Sequence, residues 1–262
     1  MDAQISSIEP HTEALLNQQL KRFNKKEFIE KDPISIPHAF SQQQDVEIAA
    51  FFAALFAWGN RTTIIQKCND LMQRMDRAPH AFVVGHQPKD LKKLIDFKHR
   101  TFNATDLLHL VRFLHHHYLS NASLETAFTR GMKKSDETVE GALIHFHRYC
   151  FSLEDSPPRS RKHISTPESG SSCKRLNMFL RWMVRRDKAG IDFGIWKGIR
   201  SNQLVCPLDI HVQRMAFQLG LITVQKSDWK TAVALTERLK VLDDRDPVKY
   251  DIALFSMGAN PV

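Results

Sequence analysis

The chain reads as an all-α protein, and three observations lead there. Alternation of apolar and polar residues with β-branched enrichment is nearly absent, so the pattern offers few strand-forming segments. Apolar residues recur instead at spacings of three and four along most of the length. No Gly-x-Gly-x-x-Gly, Walker-type or Gly-x-Ser-x-Gly element occurs, which removes the Rossmann, P-loop and serine-hydrolase classes.

Taken in order, the spacing predicts helices over 12–24, 45–58, 62–75, 79–84, 88–94, 105–119, 124–132, 138–150, 174–188, 210–219, 228–241 and 247–257. Local chemistry supports several of the starts. Ser41 with Gln44 three residues on reads as a capping box before the second helix. Ser227 is placed to cap the helix that opens Asp-Trp-Lys, and Asp246 reads as a cap before a proline at the first helical position. The one long irregular stretch is Ser152–Ser172, rich in Ser, Pro and basic residues, with only Leu153 and Ile164 as large apolar side chains. Loops of that length inside a domain are either functional or disordered, and this one runs straight into a basic helix.

With 262 residues, 42% of them hydrophobic, one or two domains can each bury a core without disulfides or structural metals. The longest apolar run, Ile48–Trp58, is eleven residues against the roughly 20 that a bilayer span needs. The opening Met-Asp-Ala-Gln-Ile lacks the basic start of a secretory signal. A soluble cytoplasmic protein with no membrane partner is the expectation. Cys68, Cys150, Cys173 and Cys206 are too far apart for a cysteine-ligated cluster and read as free thiols. His109, His115, His116 and His117 contain no pair at the i,i+3 or i,i+4 spacing of a helical metal site, so neither a metal nor any other cofactor is expected.

The net charge is +8, and it is concentrated. Between Arg159 and Lys188 stand Arg159, Arg161, Lys162, Lys174, Arg175, Arg181, Arg185, Arg186 and Lys188 against Glu168 and Asp187, a net +7. A polyanion is the natural partner of such a window, because each phosphate neutralised releases condensed counterions. A solvated basic helix face would produce the same composition. On a helical wheel starting at Lys174, Leu176, Phe179, Leu180 and Met183 fall at roughly 140–240°, while Asn177, Arg181 and Arg185 fall within roughly 60° of Lys174. This predicts a core face and an opposite cationic face suited to phosphates, with Trp182 packing inward. Further on, Cys206-Pro207-Leu208-Asp209-Ile210-His211-Val212 places Asp209 as the N-cap of the next helix. There the helix dipole keeps a carboxylate ionised and able to orient or accept protons.

The order of hairpin, lysine at a helix start, loop and Pro-x-Asp-x-His-Val resembles the helix-hairpin-helix DNA glycosylase superfamily. The segments Asp45–Arg61, Cys173–Trp196 and Asp246–Gly258 are similar to a bacterial family of unknown function grouped with it. Carried onto this chain, the resemblance puts a lysine nucleophile at Lys174, its assisting aspartate at Asp209, a phosphate-contacting histidine at His211 and the first hairpin glycine at Gly170. Ser172 stands where that hairpin has its second glycine. The 35-residue gap between Lys174 and Asp209 is closest to the archaeal 8-oxoguanine glycosylase branch. The cluster-binding cysteines of the endonuclease III branch are absent.

The resemblance implies a two-lobed all-α fold. A helical barrel, 41–186, would carry the hairpin and Lys174, and a second lobe would combine 1–40 with 187–262. It implies a monomeric, nucleoid-associated base-excision glycosylase with lyase activity on an oxidised purine such as 8-oxoguanine, its partner being double-stranded DNA with a damaged base. Gly170, Ser172, Arg175, Arg181, Arg185 and His211 would bind DNA. Asn60 and Arg61 would line the pocket or supply the wedge that fills the vacated stack, with Trp58 in the core. For the nucleophile, Arg175, Arg181 and the helix N-terminus are expected to disfavour the charged lysine. The rival reading is a non-catalytic DNA- or RNA-binding protein on the same scaffold.

Overall fold

The stretch Val46–Phe56 has no polar face apart from Glu47, so a helix built from it must be enclosed on every side. The computed structural model, which describes residues 7–259, encloses it. In chain order the helices are α1 (Pro10–Phe23), α2 (Glu27–Glu30), α3 (Gln43–Phe56), α4 (Arg61–Arg74), α5 (Pro79–Gly85), α6 (Ala104–Tyr118), α7 (Glu125–Thr129), α8 (Glu140–Cys150), α9 (Lys174–Val184), α10 (Ile210–Gln218), α11 (Trp229–Lys240) and α12 (Asp251–Ala259). A two-residue antiparallel hairpin, β1 (Lys98–His99) and β2 (Phe102–Asn103), pairs Lys98 with Asn103 and His99 with Phe102. The fold is therefore mostly helical, as the spacing predicts. Asp90–Leu94 is a tighter 3-10 turn where the pattern suggests a helix, and the 152–172 stretch is built from 3-10 turns at Pro158–His163 and Pro167–Ser169. Among the described residues no helix is long and apolar enough to cross a membrane.

The chain divides into two compact units. One comprises residues 29–133 and 140–165, the other 1–28, 134–139 and 166–262. This differs from the expected division into 41–186 and 1–40 plus 187–262. The segment 134–139 joins the unit of the termini, where Val139 N–H donates to the Gln203 carbonyl at 3.0 Å and Gln203 Nε2 to the Asp136 carbonyl at 2.8 Å. The hairpin and Lys174 belong to that same unit rather than to the one built around α3.

The unit around α3 is held by aromatic packing and one buried carboxylate. Phe51 meets Phe146 edge-on at 5.7 Å, and Phe128 stacks on Phe146 at 4.0 Å. Glu47, fully enclosed, accepts hydrogen bonds from Tyr118 Oη (2.8 Å), Ser123 Oγ (2.5 Å), Leu124 N–H (2.8 Å) and Gln43 Nε2 (3.0 Å). A buried charge is tolerable only with such partners. In the other unit α12 packs against both α1 and α10, and α9 turns Leu176, Phe179, Leu180, Trp182 and Met183 into the core.

Three caps differ from expectation. Gln42 rather than Ser41 precedes α3 and offers no side-chain cap, and Gln44 donates instead to the Ala122 carbonyl at 3.0 Å. Asp228, not Ser227, caps α11 by accepting Thr231 N–H at 2.8 Å, because a carboxylate one residue nearer the helix makes the better acceptor. The Asp246 carboxylate makes no cap bond and goes to Arg185.

Replacing Glu47 by Ala leaves Tyr118, Ser123 and Leu124 with buried donors and no acceptor, an expected loss of about 3 kcal/mol in a urea melt. A loss below about 1 kcal/mol would show that these bonds do not hold the unit.

Candidate active site

Lys174 is the first residue of α9, and the turn before it is rigidly built. Gly170 adopts a left-handed conformation (φ +76°) and its carbonyl accepts from Trp229 N–H at 3.0 Å. Cys173, at the N-cap, is also left-handed (φ +51°), which is unfavourable for a residue with a side chain. The surroundings enforce it: Cys173 N–H donates to Ser171 Oγ at 3.1 Å, Ser172 Oγ to the Leu208 carbonyl at 3.1 Å, and Asn177 Nδ2 to the Ser172 carbonyl at 2.9 Å. The Ser172–Leu208 bond ties the lysine turn to the residue next to Asp209.

Asp209 caps α10 as predicted. Its Oδ1 accepts the N–H groups of His211 and Val212, each at 2.9 Å. The other oxygen, Oδ2, lies 3.8 Å from Lys174 Nζ, with both side chains partly open to solvent at 23% and 19% exposure. One carboxylate oxygen is thus fixed by the helix and the second faces the amine. His211 Nδ1 is 3.0 Å from the Gly258 carbonyl. Because a carbonyl only accepts, Nδ1 carries a proton in that bond, and the neutral ring then offers Nε2 as an acceptor.

Behind the pair runs a buried charge network. Arg181 donates to Asp251 in a close contact and to Asp192 through Nε at 3.3 Å. Arg185 Nη1 reaches Asp192 at 2.8 Å and Asp187 at 3.2 Å, and its Nε reaches Asp246 at 2.9 Å. Arg181 and Arg185 are only 4% and 3% exposed. This corrects the expectation of a cationic, phosphate-binding face. The wheel places both arginines on one side, but that side meets carboxylates brought in from other segments and is buried. Ser172 is likewise buried, with its hydroxyl committed to Leu208, so it locks the turn rather than facing DNA. Two of the turn's N–H groups are also taken internally, Gly170 by the Pro167 carbonyl and Cys173 by Ser171, which weakens it as an anion cradle.

The residues of the +7 window are divided between the two units. Arg159, Arg161 and Lys162 belong to the unit around α3, and the six cations from Lys174 onward belong to the other. Of those six, Arg181 and Arg185 are neutralised by carboxylates and Lys174 is paired with Asp209. Arg175 is half-buried, and burial pulls its guanidinium pKa down to about 10. Asn60 and Arg61 lie in the α3 unit, where Asn60 Oδ1 caps α4 by accepting Thr63 N–H at 3.1 Å. Among the described residues no group of three metal-ligating side chains occurs.

Sequence reasoning missed Asp251. It heads α12, buried at 6% exposure, and burial lifts its pKa to about 6 despite the opposing Arg181 charge; the field of Asp209 adds to the rise and that of Lys174 opposes it. The signal was present as one aspartate at the start of an otherwise apolar helix, Asp251-Ile-Ala-Leu-Phe. The folded protein keeps a proton on Asp251 between about pH 4 and 6, where the unfolded chain has lost it, so this residue makes stability fall as pH rises through that window. Wild type is expected to lose thermal stability relative to Asp251→Asn from pH 4 to 6 and to run parallel to it above pH 7. Parallel curves over the whole range would contradict this.

Residues 32–260 match the model of a family described as "Protein of unknown function (DUF2400)", and the chain belongs to that family. No curated protein and no solved structure matches the chain.

Proposed function

We propose that this protein is a DNA glycosylase with lyase activity that removes an oxidised purine, such as 8-oxoguanine, from double-stranded DNA. The observation that carries the reading is the Lys174–Asp209 pair: an amine at a helix start, 3.8 Å from a carboxylate whose other oxygen is held by the cap of α10. The resemblance of the hairpin, lysine and Pro-x-Asp-x-His-Val order supports the same assignment. Neutral Lys174 attacks C1′ of a flipped nucleotide; the C1′–N bond breaks, and the electron pair leaves with the base, which takes up a proton. Asp209 accepts the proton given up by the attacking nitrogen. Opening of the sugar ring gives an imine on Lys174, and loss of a C2′ proton followed by the 3′ phosphate completes the lyase step. Arg175 remains as a candidate contact to the DNA backbone, His211 joins it only as the imidazolium, whose Nε2–H donates to a phosphate oxygen, and Arg181 and Arg185 no longer do.

One observation favours the non-catalytic alternative, a DNA- or RNA-binding protein on this scaffold. The contact between Lys174 and Asp209 falls within ion-pair range, and a charged lysine is not a nucleophile.

The two readings separate on duplexes carrying individual lesions, treated with borohydride to trap an imine. The glycosylase reading expects a covalent adduct with wild type, none with Lys174→Gln, and trapping slowed by 10²-fold or more with Asp209→Asn. Tight, salt-sensitive binding with neither base release nor trapping on any lesion would overturn it.

A further inference from the structure

The unit around α3 carries a second feature, remote in sequence from Lys174. Trp58 follows α3, and the guanidinium of Arg100 lies over its ring, 4.6 Å from the centroid. Two unusual backbone positions converge on this contact. Arg100 sits in the turn between β1 and β2 with φ +55°, a left-handed position where glycine or asparagine is the favourable choice. Gly59 has φ +104°, and a Cβ there would stand 2.4 Å from Arg100 Nη1. A glycine clears the space and a strained arginine fills it.

The ring is further set by His99, which meets it edge-on at 5.8 Å and is fixed by a 3.1 Å bond to the Phe56 carbonyl. Burial lowers the His99 pKa and the Arg100 charge pushes in the same direction, against the hydrogen bonds to Phe56 and Trp58. Trp58 Nε1 is buried without a hydrogen-bond acceptor, which is rare for an indole. Arg100 is exposed, and among the described residues no carboxylate pairs with it. An aromatic face, a solvent-facing cation without a counter-charge and an arginine held in a strained backbone position exceed what anchoring a two-residue hairpin needs.

We propose that Trp58 and Arg100 form a nucleotide-binding platform, in which the indole stacks an unpaired base and Arg100 holds the phosphate beside it. Arg100 covers the indole face that the base takes. It is displaced readily, because an exposed cation–π contact is weaker than base-on-indole stacking and the freed guanidinium gains a phosphate. This rests on the reading of the protein as a nucleic-acid enzyme and adds to it a stacking site in the unit that does not hold Lys174.

The test uses intrinsic fluorescence. Of the four tryptophans, Trp182, Trp196 and Trp229 are buried and only Trp58 is partly open, so quenching by a base reports on Trp58. A single-stranded oligodeoxyadenylate is titrated into the full chain, with an oligomer of abasic sugar-phosphate and inorganic phosphate as controls. Quenching by the oligodeoxyadenylate alone is expected, lost in Trp58→Leu together with about tenfold in affinity. Arg100→Gly suits the left-handed turn, so it is expected to keep or raise the melting temperature while weakening oligonucleotide binding several-fold and lowering its salt dependence. If the contact merely fastens the hairpin, Arg100→Gly lowers the melting temperature and leaves binding unchanged; that result, or equal binding of the abasic oligomer without quenching, overturns the proposal. Imine trapping on the same protein separates the two readings: trapping without quenching removes the platform and keeps the glycosylase, and quenching without trapping does the reverse.

Discussion

The unit that holds Lys174 is organised by one constraint, the need to neutralise two arginines on the inward side of α9. Buried guanidinium groups without carboxylates would cost more than the helix gains by packing its apolar face. Arg185 draws in Asp187, Asp192 and Asp246, and Arg181 draws in Asp192 and Asp251. Helix α9 therefore ends at Val184, several residues short of its apparent charge pattern, and the chain doubles back so that Phe193 and Trp196 N–H groups reach the Trp182 and Met183 carbonyls at 2.8 and 2.9 Å. The same pairing fixes the start of α12 against α9. Since α12 packs on α10, whose cap is Asp209, the network sets the frame in which Lys174 and Asp209 meet.

That frame explains why the lysine turn can hold an unfavourable conformation. Cys173 is left-handed, and it is held by local bonds of Ser171 and Asn177 and by the long-range bond of Ser172 to Leu208, most of them buried. Strain of this kind persists where the surroundings over-determine it, and here it sits one residue before the candidate nucleophile. Asp209 shows the complementary economy. One oxygen caps a helix, a role that alone would justify the residue, and the second is left facing an amine. The partly buried setting links three titratable groups, because Asp251 responds to the charges of Arg181, Asp209 and Lys174 together.

Much of this was legible from the residues, and the failures have physical causes. Helix positions followed from apolar spacing because a helix must bury one stripe, and Asp209 was readable as a cap because Pro207 and the apolar run after it fix where α10 starts. Arg181 and Arg185 were misread because a helical wheel assigns charge to solvent, whereas their partners lie 2 to 70 residues away and leave no local pattern. The division by contacts differs for a related reason: residues 134–139 and 166–186 make their contacts within the unit of the termini, and long-range contacts leave no local sequence pattern. Asp251 carried a weak signal, a lone acidic residue at the head of an apolar helix, and could be valued only once its neighbours were known. The +7 counted over Arg159–Lys188 overstated the free charge of that window, since Arg181 and Arg185 are neutralised by Asp192, Asp246 and Asp251, which lie outside it.

The proposed glycosylase chemistry requires that the amine of Lys174, and no other lysine, form the covalent bond. Peptide mapping by mass spectrometry of the borohydride-reduced complex between wild-type protein and lesion-bearing duplex addresses it directly. The reduced sugar fragment is expected on the peptide that begins α9, attached at Lys174. A fragment attached at any other lysine, such as Lys188 or Lys197, or no fragment alongside proven base release, would contradict it.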